Sequence, residues 1–383
     1  MGRKVLICRH FLFLRHSGRP PDTRVFPGPQ NTITKKLLLG GALYSSAPML
    51  IFPCSEIVTS CLSARFPSSQ SFTQDWVTYI SKMAAPCVVH SVGTILLDPG
   101  HPLPARFRAL FTLRNLGGAE AVELIGRGFG DESALLKHEL AYCLGQMRDP
   151  RAIPVLSAVL RDPGQEPMVR HEAGEALGAI ADPEVLALLK EYSQDPVIEV
   201  AETCQIAVRR IEWLQQNPGA PDNNPYLSVD PAPPAEGANI SALRATLLDD
   251  SCALFERYRA MFALRNIGGR EAVLALTDGL QFGSSLFRHE IGYVLGQMQH
   301  EAAIPGLAAA LERFEENPMV RHECAEALGS IAQEECFKVL QAHMSDEEPV
   351  VRESCEVALD MYAYENSNAF QYADGLDQIQ KCT

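Results

Sequence analysis

The sequence lacks two features that would place it in common classes of protein. Its eleven cysteines include no CxxC pair, so a zinc or redox site built from paired thiolates is not indicated, and buried free thiols in a reducing cytosol are the simpler interpretation. The apolar run at residues 37–53 is broken by Ser45, Ser46 and Pro48 and is too short to span a bilayer. We therefore predict a cytoplasmic protein with no membrane partner.

Basic residues are scarce in most of the chain. The formal net charge is −14, but residues 1–82 hold ten Lys/Arg and three Asp/Glu, which leaves 23 basic and 44 acidic residues for 83–383. Binding to a nucleic-acid backbone needs Lys and Arg to displace condensed counterions. This acidic part argues against a nucleic-acid partner and is compatible with a basic protein or a cationic side chain.

Residues 1–82 also lack helical periodicity and are rich in Arg, Ser and Pro. A bias of this kind superficially suits a targeting peptide, although no cleavage signal follows it. We expect an N-terminal extension that is disordered or forms no part of the working protein, with Met83 as the natural start.

An internal duplication organises the remainder. RFRALFTLRN at 106–115 answers RYRAMFALRN at 257–266, an offset of 151 residues, and PMVRHE at 167–172 returns unchanged at 318–323. Within each half, motifs recur at a spacing of 31 to 33 residues, with apolar residues at helical spacing and Gly or Pro between segments. This period is typical of stacked helical hairpins. We predict an all-α fold, an α-solenoid of HEAT-type hairpins in two four-repeat arms. The predicted segments are the extension 1–82, an N-terminal arm 83–216, a Pro-rich linker 217–239, a C-terminal arm 240–366 and a tail 367–383.

Four His-Glu dipeptides occupy one register of the repeat, in the two central repeats of each arm. They are His138-Glu139, His171-Glu172, His289-Glu290 and His322-Glu323. A fifth, His300-Glu301, lies in a turn between repeats and is the pair expected by chance. Duplication could have copied one neutral pair, but adjacent helical residues are about 100° apart, and helices of successive repeats lie about 10 Å apart. If the arms face each other, imidazoles and carboxylates converge in one cleft.

A cluster of buried carboxylates is unfavourable unless it is protonated or binds cations. Imidazole and carboxylate ligands suit iron, manganese or zinc, and two ions would each have about two His and one carboxylate. The residues alone leave three functions open: a dioxygen-activating iron enzyme, a dinuclear metallohydrolase and a non-catalytic scaffold that binds protein along its concave face.

Six segments narrow this choice. HELAYCLGQM, VRHEAGEALG, FRHEIGYVLGQM, VRHECAEALG, YLSVDPAPPAE and VRESCEVALDMY resemble the deoxyhypusine hydroxylases, and the likeness covers about residues 88–380. The resemblance implies a monooxygenase with two Fe²⁺ ions that uses dioxygen and an external reductant. Its implied partner is a eukaryotic translation factor that carries deoxyhypusine, and the enzyme itself is expected to be a monomer.

The resemblance also implies a division of roles. His138, His171, His289 and His322, with Glu172 and Glu323, would hold the irons. Glu139 and Glu290 would be catalytic residues at the cleft that bind the polyamine-like side chain, and they could also approach the metal. Amine groups and carboxylates form charge-assisted hydrogen bonds.

Two further pairs share the spacing of one helical turn. Glu175 and Glu326 follow His171 and His322 by four residues and are either hydrogen-bond acceptors for those imidazoles or solvated helix surface. Tyr142 and Tyr293 follow His138 and His289 in the same way, and core packing is their favoured interpretation.

Overall fold

The computed structural model describes residues 5–8, 11–14, 86–219 and 224–375. Sixteen α-helices lie within these residues, eight in each half. The first half contains α1 (Pro86–Leu97), α2 (Leu103–Leu116), α3 (Gly118–Arg127), α4 (Ala134–Met147), α5 (Ile153–Arg161), α6 (Pro167–Ile180), α7 (Leu186–Tyr192) and α8 (Ile198–Gln216). The second contains α9 (Ile240–Leu248), α10 (Leu254–Ile267), α11 (Gly269–Asp278), α12 (Ser285–Met298), α13 (Ile304–Glu312), α14 (Pro318–Ile331), α15 (Glu334–Ala342) and α16 (Pro349–Glu365). The predicted all-α solenoid is confirmed.

Strands occur, among the described residues, at Val5–Cys8 (β1) and Phe11–Leu14 (β2), which pair in antiparallel register. This hairpin was not among the predicted elements. The other residues of 1–82 lie outside the described part of the chain, so the expectation for that segment stays a prediction. Within the described residues, no helix is long and apolar enough to cross a membrane.

Local sequence signals set the limits of the helices that follow. Ser133 and Ser284 cap α4 and α12, each accepting a backbone N–H from the first turn, while α6 and α14 begin with a proline whose missing N–H needs no partner there. Short 3₁₀ turns join several helices, at Gly128–Gly130, Pro150–Ala152, Pro183–Val185, Gly279–Gln281 and Glu301–Ala303.

The second helix of each hairpin packs beside the second helix of the next, so that α2, α4, α6 and α8 form one row and α10, α12, α14 and α16 another. Small residues permit the close approach. A Cβ on Gly145 would lie 2.7 Å from Cα of Ala176, and one on Gly329 would lie 2.8 Å from Cα of Ala358. Glycine is therefore required where these rows are tightest.

Four of the second helices, α2, α6, α10 and α14, have a buried arginine near their start that bonds to the first helix of the same hairpin. Its Nε donates to the carbonyl of a leucine ten residues earlier, as Arg170 does to Leu160 at 3.1 Å and Arg321 to Leu311 at 2.8 Å. The same guanidinium of Arg321 pairs with Asp346 of the following repeat. Arg106 and Arg257 make the equivalent bonds to Leu96 and Leu247. These charge-assisted bonds satisfy carbonyls at the ends of the first helices.

The two rows meet at both ends. Helix α16 packs against α2 and α4, and α8 packs against α10 and α12. Two related hydrogen bonds close the junctions: Ser133 Oγ donates to Glu353 at 2.7 Å, and Ser284 Oγ donates to Glu202 at 2.5 Å. The central helices α4, α6, α12 and α14 are thereby held around one enclosed space.

Candidate metal centre

Each His-Glu pair lies at the same height on its own helix. His138, His171, His289 and His322 are each the fifth residue of α4, α6, α12 and α14, and the glutamate follows as the sixth. Because α4 packs beside α6 and α12 beside α14, equal height places the two pairs of an arm next to each other. The closed arrangement of the rows then brings the two arms' pairs together.

All eight side chains are buried. His138, Glu139, His171, His322 and Glu323 have no exposed surface, and Glu172, Glu290 and His289 are at most 3% exposed. Full burial of eight ionisable groups is costly unless they compensate one another or bind a cation. The cluster is thus the most polar part of the inter-arm core.

The imidazoles form a compact group. Ring centroids are 5.2 Å apart for His138 and His171 and 5.3 Å apart for His289 and His322, the two pairs within an arm. Across the arms, His138 lies 5.7 Å from His289 and 5.3 Å from His322. The distances across the arms are therefore as short as those within them, and the two arms contribute to a single centre.

Each arm joins a histidine of one helix to a glutamate of the next. His138 Nε2 lies 3.1 Å from Glu172 Oε2, and His289 Nε2 lies 3.2 Å from Glu323 Oε2. Two sets of side chains could each hold a metal ion, because the possible ligand atoms within a set all lie within 4.8 Å of one another. One set is His138, His171 and Glu172, and the other is His138, His289 and His322. Glu139, Glu290 and Glu323 stand outside both sets, and Glu323 has the contact with His289.

The electrostatics of the centre are those of a cation site. Burial raises the pKa of Glu290 well above its usual value, and the neighbouring Glu175 and Glu323 raise it further, while Arg265 opposes them. Nε2 of His322 and Oε1 of Glu290 are buried and find no hydrogen-bond partner among the residues that the structure describes. Orphaned polar atoms of this kind are costly, and a bound cation would satisfy them. The donor set therefore fits metal binding.

The far sides of two imidazoles face polar groups. Thr203 Oγ1 lies 3.5 Å from His171 Nδ1, and Glu326 Oε1 lies 3.4 Å from His322 Nδ1. Ser354 Oγ donates to the same Glu326 oxygen at 3.3 Å. A hydrogen bond such as that of Thr203 orients the ring and selects its tautomer.

Solvated helix surface is wrong for Glu326, whose side chain is 1% exposed and lies beside the imidazole of His322, although Nδ1 of His322 makes no hydrogen bond among the described residues. Its counterpart Glu175 is only half-buried. Thr203 and Ser354 were missed as contacts of the centre, although they occupy the glutamate register of the fourth repeats. The presence of a hydroxyl side chain at that position in both arms could have indicated this role.

Tyr142 and Tyr293 are buried, as core packing predicts, but they do more than fill space. Their hydroxyl oxygens are 3.2 Å apart, which joins α4 to α12 directly. Tyr293 also accepts a hydrogen bond from Gln297 Nε2 at 2.9 Å. No spacing in the sequence indicates that these phenols meet.

Comparison with known proteins is consistent with this geometry. Models of HEAT repeats match residues 96–166, 131–209 and 284–360, and a model of the PBS lyase HEAT-like repeat matches 256–282. Deoxyhypusine hydroxylase of Xenopus laevis is 80% identical over 76% of this chain and 96% of its own length, and that of Homo sapiens is 70% identical over 76% and 97%.

A solved structure extends the comparison to three dimensions. Human deoxyhypusine hydroxylase in complex with glycerol matches with a TM-score of 0.73 and 69% identity, over 74% of this chain and 99% of that one. Identity of this level over nearly the whole length of the relatives, together with the buried His-Glu centre, shows that the chain belongs to the deoxyhypusine hydroxylases, an enzyme family.

Proposed function

We propose that this enzyme hydroxylates the deoxyhypusine side chain of a eukaryotic translation factor, to give hypusine, at a centre of two Fe²⁺ ions with dioxygen as co-substrate. The observation that carries the proposal is the convergence of four imidazoles with ring centroids 5.2–5.7 Å apart and the carboxylates that touch them. Mixed imidazole and carboxylate ligation with open positions is typical of non-haem iron sites that activate dioxygen.

The proposed ligands divide by arm. His138, His171 and Glu172 hold one ion, and His289, His322 and Glu323 hold the other. The two His-Glu contacts at 3.1 and 3.2 Å support this division, since each would allow one cation to lie between both groups. When bound, the irons supply the oxidation of an unactivated C–H bond, which no side chain can perform, and an external reductant supplies two electrons.

Glu139 and Glu290 are proposed to bind the protonated amines of the substrate. Each adjoins a proposed ligand on the same helix, and the carboxylates that lie 3.1 and 3.2 Å from an imidazole nitrogen are those of Glu172 and Glu323. A bound ammonium or metal cation stabilises the ionised carboxylate and so lowers the pKa of Glu290 from its raised value. Charge-assisted hydrogen bonds from the amines would fix the position of the carbon to be hydroxylated.

The charge of the protein suits such a substrate. The acidic residues of 83–383 outnumber the basic ones by 21, which favours the approach of a basic loop. Both halves of the centre come from one chain, so a monomer is sufficient for activity. The proposed location is the cytoplasm.

The deciding experiment is mass spectrometry of the deoxyhypusine-bearing factor after incubation with enzyme, Fe²⁺ and reductant. We expect a gain of one oxygen atom per factor and no gain without dioxygen. Turnover of the zinc-loaded protein without dioxygen would instead identify a metallohydrolase. A protein that binds the factor, contains no iron after iron-replete expression and leaves the factor's mass unchanged would be a scaffold.

A further inference from the structure

The phenols of Tyr142 and Tyr293 make a direct hydrogen bond between the two arms. Tyr142 lies on α4, four residues after His138, and Tyr293 lies on α12, four residues after His289. Their hydroxyls are 3.2 Å apart and their rings pack edge to face with centroids 6.2 Å apart. Burial raises the pKa of both phenols, so each keeps a proton to donate.

Tyr293 is itself held by a chain of hydrogen bonds. Gln297 Nε2 donates to its hydroxyl at 2.9 Å, and Gln297 Oε1 accepts from Arg265 Nη1 at 2.7 Å. Because a guanidinium offers only donors, it fixes the orientation of the Gln297 amide. With Gln297 donating to Tyr293, the proton of Tyr293 is available for Tyr142.

The chain continues into the linker. Arg265, which has no exposed surface, pairs with Asp230 at 2.6 Å and donates to Asn224 at 3.1 Å. On the other arm, Gln146 bonds the backbone of Val229 in both directions, at 2.8 and 3.2 Å. Gln297 Nε2 on α12 also donates to Ser228 Oγ at 3.1 Å. The residues from Asn224 to Asp230, called the strap below, therefore contact both α4 and α12, through Gln146 and Gln297, each four residues after a phenol.

The hydrogen bond between Tyr142 and Tyr293 lies between the two helices that carry His138 and His289. Each arm holds one of the two proposed ions, so the distance between the ions depends on the spacing of α4 and α12. We infer that the Tyr142–Tyr293 hydrogen bond, braced by Gln297, Arg265 and the strap, sets that spacing and thus positions the two halves of the metal centre. Both tyrosines are positioning residues. The inference rests on the proposed function.

The test uses Tyr142→Phe, Tyr293→Phe and the double variant, each in the full chain. The single variants leave one buried hydroxyl with a lost partner, whereas the double variant removes both. We expect each single variant to lower the melting temperature and the double variant to recover part of the loss. If the pair only satisfied polar groups in the core, iron binding would recover in the double variant as well.

Positioning predicts a different outcome for the metal. All three variants should bind the first iron normally and the second about tenfold more weakly, as is usual when the partners behind a metal site are lost. The Mössbauer and magnetic signature of the coupled pair should change, and kcat should fall with KM almost unchanged. In metal-free protein, amides of α4 and α12 should exchange faster with solvent in the double variant.

Tyr364→Phe is the matched control. Tyr364 is buried on α16, and its hydroxyl donates to the carbonyl of Phe370 at 3.3 Å, so its loss removes a buried hydroxyl without touching α4 or α12. We expect native affinity for both irons.

Native affinity for the second iron and an unchanged magnetic signature in the double variant would overturn the inference and leave the proposed function intact. A wild-type protein that takes up no iron would overturn both.

Discussion

The two arms are near copies, yet they differ in what surrounds the centre. Arg114 and Arg265 are equivalent under the offset of 151 residues, but Arg265 is fully buried against Asp230, whereas Arg114 is half-buried over the ring of Tyr142. Likewise His171 faces Thr203 while His322 faces Glu326. The His-Glu pairs occur at equivalent positions in both arms. The strap occurs only once, so the contacts that it makes with one arm are not repeated in the other.

The largest effect is expected from substituting histidines that occupy equivalent positions in the two arms. His138→Ala and its equivalent His289→Ala should each abolish activity and lower iron content from about two ions per chain to one or none, measured by elemental analysis. His300→Ala is the control, since His300 only caps a turn through the Ala302 amide. Full iron occupancy in either arm's variant would refute the ligand assignment.

The next largest effect is expected from Arg265 and Arg114, which are equivalent in sequence but differ in their surroundings. Arg265→Ala removes the cation that pairs with the buried Asp230 and the donor to Gln297 Oε1, and it should lower the free energy of unfolding by about 3–5 kcal/mol. Arg114→Ala should cost about 1 kcal/mol or less. Chemical denaturation measures both. Equal losses would show that the strap does not distinguish the arms.

Glu139→Gln and Glu290→Gln probe the two carboxylates that are proposed to bind the substrate. Loss of a charge-assisted hydrogen bond to an amine should raise KM about ten- to a hundredfold, with both irons retained. Steady-state kinetics and iron analysis of the same preparations test this. Loss of iron in either variant would instead make that glutamate a ligand.

The smallest effects concern the junctions between the arms. Ser133→Ala and Ser284→Ala each remove a helix cap and a bond to a glutamate of the other arm, and each should cost about 1 kcal/mol. Clearly different losses of stability in the two variants would show that the two junctions between the arms are not equivalent.

These junctions also predict a dependence on pH. Burial raises the pKa of Glu202 and Glu353 above the ordinary 4.5. The folded state therefore binds protons more tightly than the unfolded state, and their contribution to stability falls as pH rises through the window above 4.5. The serine bonds oppose this shift, so each variant should lose stability more steeply from pH 5 to pH 7 in denaturation curves.

Much of this architecture follows from local pattern. The Leu and Ala spacing in segments such as HELAYCLG at 138–145 predicts helical hairpins, and Pro167 and Pro318 predict where two of the helices begin. The register of the His-Glu pairs predicts one shared height, since equal positions in stacked repeats lie side by side. The contacts of Tyr142 with Tyr293 and of Arg265 with Asp230 escaped prediction. The duplication marks the two tyrosines as equivalent positions but not as neighbours, and no periodicity relates Arg265 to Asp230.

By itself, the sequence determined the repeat, the duplication and the family, because each depends on residue identity at fixed spacing. It also singled out the eight ionisable residues. Only the tertiary structure decided that the rows close at both ends, which glutamate touches which histidine, and that two phenols and a strap link the arms beside the centre. The physical reason is that closure depends on the crossing angles of packed helices and on contacts between distant residues, and these are settled by the packing of the whole chain.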